Sequence, residues 1–266
     1  FNGQFPGYLG CDTVYHDLQH TLDDTLAMAR LLVGYERSHA AEQRLGADRA
    51  LLGLVVALFH DAGYIRQSDD TSHRNGAEFT RTHVGRGAQF LARYLPSIGM
   101  ADWVSVATQI VHFTGYEVGF DQIRLDDARD RKVGHLLGTA DMIAQMADRC
   151  YLEKCRDRLY AEFVLGGVAL SRDNGGFRMK YGSGLDVLRQ TPEFVAETMR
   201  TRLDGEFGGA YRYVDVVLGG RNPYMEAIEG HLDYLRQVLQ ARRWSMLRRE
   251  PPCFTWEKNP LQNMRA

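Results

Sequence analysis

The residues of this chain that could do chemistry are histidines and aspartates, and their spacing carries the information. His16, His20 and Asp24 are four apart, which sets side chains one turn apart on a single helix face. His60-Asp61 directly follows the apolar run Leu54-Val55-Val56-Ala57-Leu58-Phe59. An imidazole and a carboxylate at the end of a buried helix cost free energy unless a metal ion or an internal ion pair satisfies them. His83 and His112 follow on later helical stretches. Asp141 lies in Thr139-Ala140-Asp141-Met142-Ile143, flanked by core residues, and needs a partner there. One helix after another thus delivers a single imidazole or carboxylate, the way helical bundles build metal sites. Alone, the His16/His20 pair reads as an exposed polar stripe and His60-Asp61 as weak evidence. His20, His60, Asp61, His83, His112 and Asp141 together favour a metal centre.

The elements that must position these groups are helical, and the pattern predicts an all-α fold. Val14, Leu18, Leu22, Leu26 and Ala29 mark the apolar face of a first helix capped at Asp12. Further helices are expected over about 40–59, stopped by Asp61-Ala62-Gly63, over about 76–94, ended by Pro96, and over about 101–113. A long helix from near Asp130 to Phe163 would carry Leu136, Leu137, Ala140, Ile143, Ala144, Ala147 and Leu152. Gly166-Gly167, Asn174-Gly175-Gly176 and Gly182-Ser183-Gly184 punctuate a less regular region. Helices over about 192–203 and 223–243 and a proline-rich tail complete the chain. No stretch alternates convincingly with a two-residue period. Residues 1–165 are therefore expected to form a metal-binding helical core, with residues 166–266 a helical extension packed on it.

Composition bounds the function. With 266 residues, 44% hydrophobic and 25% charged, the chain can bury an ordinary core. Its 32 Lys+Arg against 34 Asp+Glu leave a net charge of −2, so neither nucleic-acid binding nor a membrane surface is expected. The longest apolar run falls far short of the ~20 residues of a membrane span. Four cysteines are too few for a disulfide framework, and Cys150 and Cys155, five apart on a helix, do not make a zinc pair. A reducing cytoplasm is expected. The chain opens at Phe1 rather than Met, which suggests a processed or excised piece and leaves room for an upstream sensory segment. No glycine cluster matches a phosphate-cradling P-loop.

His20, His60-Asp61, His83, His112 and Asp141 resemble the H…HD…H…H…D metal set of the HD-domain superfamily of metal-dependent phosphohydrolases, in its two-metal version. Tyr15-His16-Asp17-Leu18-Gln19-His20 is similar to the Y-H-N-x-x-H segment of class I cyclic-nucleotide phosphodiesterases. The stretch from Thr82-His83 to Phe90-Leu91 resembles the K-H-P-x-x-G-A-x-x-L segment of HD-GYP phosphodiesterases. Leu137-Gly138-Thr139-Ala140-Asp141-Met142 through Asp148-Arg149 resembles their A-D-x-x-D-A-x-x-x-x-R helix. The resemblance covers about Tyr15 to Arg149. It departs at Tyr64, where HD-GYP proteins carry lysine, and at Val111 to Glu117, where their H-H-E-x-x-D-G-x-G-Y-P signature is missing. It therefore does not imply cyclic-di-GMP as substrate.

The resemblance implies hydrolysis of a nucleotide or other small phosphoester by a bridging water held between two divalent ions. Asp61 would bridge them, His20, His60 and Asp141 completing one ion and His83 with His112 the other. Imidazole and carboxylate donors without thiolate suit iron, manganese, zinc or nickel, and magnesium alone would be a surprise. His16 would be the proton donor to the leaving oxygen, with third-metal ligand as the lesser option. Asp24 could orient His20 or His16. Weaker candidates are His73 and Glu78 near the site, Arg66, Lys180 and Arg221 for phosphate, and Tyr64, Tyr116 and Phe113 for stacking. His39, His135 and His231 read as surface or capping residues. Two competing readings remain: a di-iron oxygenase of the same superfamily, and a non-catalytic signalling module.

Overall fold

The computed structural model describes residues 1–173 and 176–255. Helices make up 66% of the chain and strands 3%, so the fold is all-α as the periodicity predicts. In chain order come α1 (Leu18–Ser38), α2 (Ala47–Phe59), α3 (His83–Ser97), α4 (Val104–Ile110) and α5 (Ala128–Ala147). There follow α6 (Tyr151–Lys154), a π turn (Cys155–Leu159), α7 (Tyr160–Leu165) and an antiparallel hairpin of β1 (Leu170–Asp173) and β2 (Gly176–Met179). The chain continues through α8 (Gly184–Thr198), a second π turn (Met199–Glu206), α9 (Tyr213–Val217) and α10 (Pro223–Ala241). The core is built around α5, whose Val133, Leu136, Leu137, Ala140, Ile143 and Met146 are all wholly buried. α1, α2, α4 and α10 pack on it. Among the described residues no helix is long and apolar enough to cross a membrane.

Several expected boundaries move, each for a local reason. α1 starts at Leu18 rather than after Asp12, because the Asp17 side chain accepts from His20 N at 3.1 Å and caps it. Its buried face is His20, Thr21, Asp24, Ala27, Met28, Leu31, Leu32 and Tyr35, while Leu22 and Leu26 are 47% and 48% exposed. In its first two turns the polar residues His20, Thr21 and Asp24, not Leu22 and Leu26, mark the inside. The expected long helix breaks at Asp148, whose Oδ1 captures Cys150 N at 2.6 Å. Pro96 sits inside the last turn of α3, where it removes one i→i−4 hydrogen bond, and the helix ends one residue later at Ser97. Pro192 is inside α8, which starts at Gly184; burial of Val187, Leu188 and Val195 on that helix outweighs the proline's cost of roughly 3 kcal/mol. The β1–β2 hairpin has no counterpart in the sequence reading, and Asn174 and Gly175 lie outside the described residues.

Between α2 and α3 the chain turns tightly, and the turn brings His60-Asp61 against the start of α3. Ala62–Tyr64 form one 3-10 turn, with Arg86 of α3 donating to Gly63 O at 2.8 Å and to Ile65 O at 3.2 Å. A Cβ on Gly63 would lie 1.7 Å from His83 O, a backbone atom that cannot step aside. Gly63→Ala should therefore destabilise the protein by about 2–3 kcal/mol, near the upper end for overpacking, read by urea denaturation. An unchanged midpoint would show that the two segments are not held this closely.

Candidate metal centre

Three elements deliver the central cluster. His20 lies in the first turn of α1, His60 and Asp61 end α2, and Asp141 stands midway along α5. All four are buried. His20 Nε2 and His60 Nε2 are 3.4 Å apart, and each is 3.3 Å from Asp61 Oδ2. Asp141 Oδ1 is 3.4 Å from His20 Nε2 and 3.9 Å from His60 Nε2. Donors ~2.0–2.1 Å from a common cation in tetrahedral array would be about 3.3–3.4 Å apart, which matches four of these five separations. Among the described residues, His20, His60 and Asp61 form a group of three with the reach to hold an ion.

Hydrogen bonds aim the rings. His60 Nδ1 lies 2.8 Å from Ala57 O and His83 Nδ1 lies 2.9 Å from Thr80 O, so each Nδ1 carries the proton and each Nε2 offers a lone pair. The resulting direction for His83 Nε2 is towards Asp61 Oδ1, 3.7 Å away. Asp61 thus presents Oδ2 to the His20–His60 pair and Oδ1 to His83. Glu117 fixes this side, accepting from Val84 N at 2.8 Å and Gly85 N at 2.9 Å at the start of α3. His112 makes none of these contacts; among the described residues its buried Nδ1 has no hydrogen-bond partner, and burial pushes its pKa down against the charge of Glu117.

The electrostatics are those of a site built for positive charge. Among the described residues, Asp61 Oδ2 and both oxygens of Asp24 are buried without a hydrogen bond. Asp61 Oδ2 lies 3.3 Å from two imidazoles, near enough for strong charge contacts. Burial opposes charge on His60, but Asp61 and Asp24 outweigh it and push the imidazole up to about 10. His20, opposed by burial in the same way, is held well above its ordinary value by Asp141 and Asp61. Burial would raise Asp61, yet His60 and His20 hold it well below the usual carboxylate range. Burial lifts the Asp24 carboxyl to about 7, despite His60 beside it. Burial pushes His83 down.

No known family model, curated protein or solved structure matches the chain. The site must therefore speak through its own chemistry.

His16 does not continue the α1 face with His20 and Asp24. It precedes the Asp17 cap, on a loop, and Asp24 instead lies 3.3 Å from His60 Nδ1. Glu162 of α7, wholly buried, holds the His16 ring: its Oε2 is 2.5 Å from Nδ1, and its Oε1 accepts from Tyr15 N at 2.6 Å. Tyr64 is stacked between His16 and His83, with ring centroids 4.5 Å and 4.3 Å apart and planes within 18°. His16, Asp61, Tyr64, His83 and Asp141 share the wall of a cavity of about 600 Å³. Its further walls include Tyr116, Gln145, Phe163, Lys180, Tyr181 and Gln190.

Other sequence candidates go elsewhere. His73 pairs with Asp70, Glu78 caps the turn at Asn75, and Arg66 binds Asp12 and His73 O. Arg221 pairs with Glu226 at the surface, and Phe113 is core. His39 bonds Tyr35 O and His231 bonds Met146 O. His135, expected at the surface or in a cap, is instead packed against Phe113 and Phe207, where burial pushes it down to about 4. Glu162 was missed, although a glutamate in Tyr160-Ala161-Glu162-Phe163-Val164 carries the same signal as Asp141.

A cation entering this cluster must displace protons from His20 and His60. The raised His60 contributes stability to the metal-free protein that is complete below its ordinary 6.5 and lost as pH rises through about 10. Metal uptake near neutral pH should therefore release protons, and affinity should climb with pH. Calorimetry in buffers of different ionisation enthalpy counts them. Uptake without proton release would contradict the ligand assignment.

Proposed function

We propose that the chain is a metal-dependent phosphohydrolase of the HD type, acting on a nucleotide or other small phosphoester. The observation that carries this reading is the split Asp61 carboxylate, one oxygen towards His20 and His60 and the other towards His83. A carboxylate so divided suits a two-ion centre with an imidazole or more on each side. Iron, manganese, zinc or nickel fits the donor set. Bound ions of this kind neutralise charge on phosphoryl oxygens and acidify a water. His112 belongs to the proposal as a ligand on the His83 side.

The chain's own groups would do the rest. His16 opens onto the cavity with Nδ1 committed to Glu162, so the proton it can give to a leaving oxygen is on Nε2. Tyr64, stacked on both faces and buried, fixes that ring's plane relative to His83. Lys180 on the cavity wall supplies a cation for the phosphate.

His16→Ala should keep its metal and lose roughly 10²–10⁴-fold in turnover on a phosphoester panel, and Glu162→Gln should fall between that variant and the wild type. Asp61→Ala should lose the ions themselves. Metal lost from His16→Ala would make it a ligand instead of a donor. Iron content with O₂ consumption and no phosphoester turnover would overturn the hydrolase reading in favour of an oxygenase.

A further inference from the structure

The proposed proton donor sits on a loop, and a loop holds a catalytic group only as well as it is tied down. Two side chains from one helical stretch grip residues 14–17. Glu162 takes Tyr15 N, His16 N and His16 Nδ1. Four residues earlier, inside the π turn, Arg158 is 3% exposed. Its Nη1 donates to Val14 O at 3.3 Å and lies 4.0 Å from Asp17 Oδ2. The same guanidinium donates to Pro252 O at 2.8 Å and to Pro251 O. Phe254 N donates to Asp17 Oδ2 at 3.2 Å. Arg156 Nη1 donates to Leu247 O at 3.1 Å, and Arg249 N donates to Glu153 Oε1 at 3.2 Å. Residues 247–254 are thereby laced along the helical stretch that carries Glu162.

Arg158 is a costly group to bury. The Asp17 carboxylate stands 4.0 Å away, beyond hydrogen-bond reach, and the hydrogen bonds go to backbone carbonyls of two segments far apart in sequence. A side chain with that pattern clasps the segments together. π turns recur at functional sites, where they displace a side chain from the ordinary helical register.

We infer that Arg158 is a positioning residue, and that residues 247–254 form a strap whose seating on Arg158 and Asp17 sets the orientation of His16. This rests on the hydrolase reading only for its catalytic consequence. Lifting the strap would release Asp17 Oδ2 and strip Arg158 of its two proline carbonyls, loosening the grip of Arg158 on Val14. Asp17 Oδ1 would stay on His20 N, so the strap would regulate proton delivery rather than metal binding.

The test reads the loop directly in the full chain. Amide hydrogen exchange is compared among wild type, Arg158→Ala, Arg158→Lys and Phe254→Pro, the last removing the N–H that reaches Asp17 while keeping the buried guanidinium. Phe254→Pro keeps the test decisive if Arg158→Ala fails to fold. The amides of Tyr15 and His16 should exchange roughly five- to tenfold faster in Arg158→Ala and Phe254→Pro, with Leu137 and Ile143 of α5 unchanged. Arg158→Lys should recover part of the protection, and metal content should hold throughout. On a turned-over phosphoester, kcat should fall while KM stays. Unchanged protection at Tyr15 and His16, or faster exchange spread evenly into α5, would overturn the strap. Local loosening in a protein that hydrolyses no phosphoester would uphold the strap and overturn the hydrolase reading.

Discussion

Two imidazoles and the Asp61 carboxylate within 3.3–3.4 Å of one another, with Asp141 3.4–3.9 Å from both imidazoles, in the buried middle of a helical protein, are the constraint on which the rest depends. Each buried polar group without a partner costs about 1–3 kcal/mol, and charged ones more. Among the described residues both Asp24 oxygens lack a hydrogen bond, and Asp61 Oδ2 lacks one too although two imidazoles stand beside it. Against a total stability of roughly 5–15 kcal/mol, that is a large share for a fold to leave uncompensated. Protons on His20 and His60 offset part of it. A cation among the four donors would offset more, because it replaces charge contacts with bonds to Asp61 Oδ2 itself and draws positive charge towards Asp24.

The surrounding architecture makes sense in that light. Three of the groups sit at helix ends, where the chain can bring donors together without bending a helix: His20 opens α1, His60 closes α2 and His83 opens α3. Gly63 and Arg86 press the α2–α3 turn onto the start of α3, and Glu117 occupies the free N–H groups there. Asp141 comes from the most buried helix and completes the cluster from the far side. The His16 loop is held quite differently, by Glu162 and Arg158 from a stretch more than 140 residues away in sequence. The backbone around the ligand set and that around the proposed proton donor are thus held by separate parts of the molecule, which meet at the Tyr64 ring stacked between His16 and His83.

The cluster was legible because buried charge leaves a mark in sequence. Asp141 amid apolar residues and His60-Asp61 after an apolar run both announce a compensated group, and both are in the cluster. The first helix was harder. Its spacing of leucines suggested an inward face, whereas His20 and Asp24 are buried and Leu22 and Leu26 are exposed. Apolar periodicity assumes that the inside of a helix is greasy, and that assumption fails where a helix faces a charged site. Glu162 and Arg158 were unreadable as partners of His16, because no spacing rule links residues so far apart. The β1–β2 hairpin escaped because its strands are only four residues each. His112 was expected with the ligands, and the structure leaves it outside their contacts.

Crystals grown with Mn²⁺ and measured at its absorption edge test the central claim most directly. The account predicts an anomalous peak bonded to His20 Nε2, His60 Nε2, Asp61 Oδ2 and Asp141 Oδ1 at about 2.0–2.2 Å, and a second on the Oδ1 side of Asp61, against His83. A map with no peak among those four atoms at saturating Mn²⁺, or with its peaks only at the surface, would contradict it.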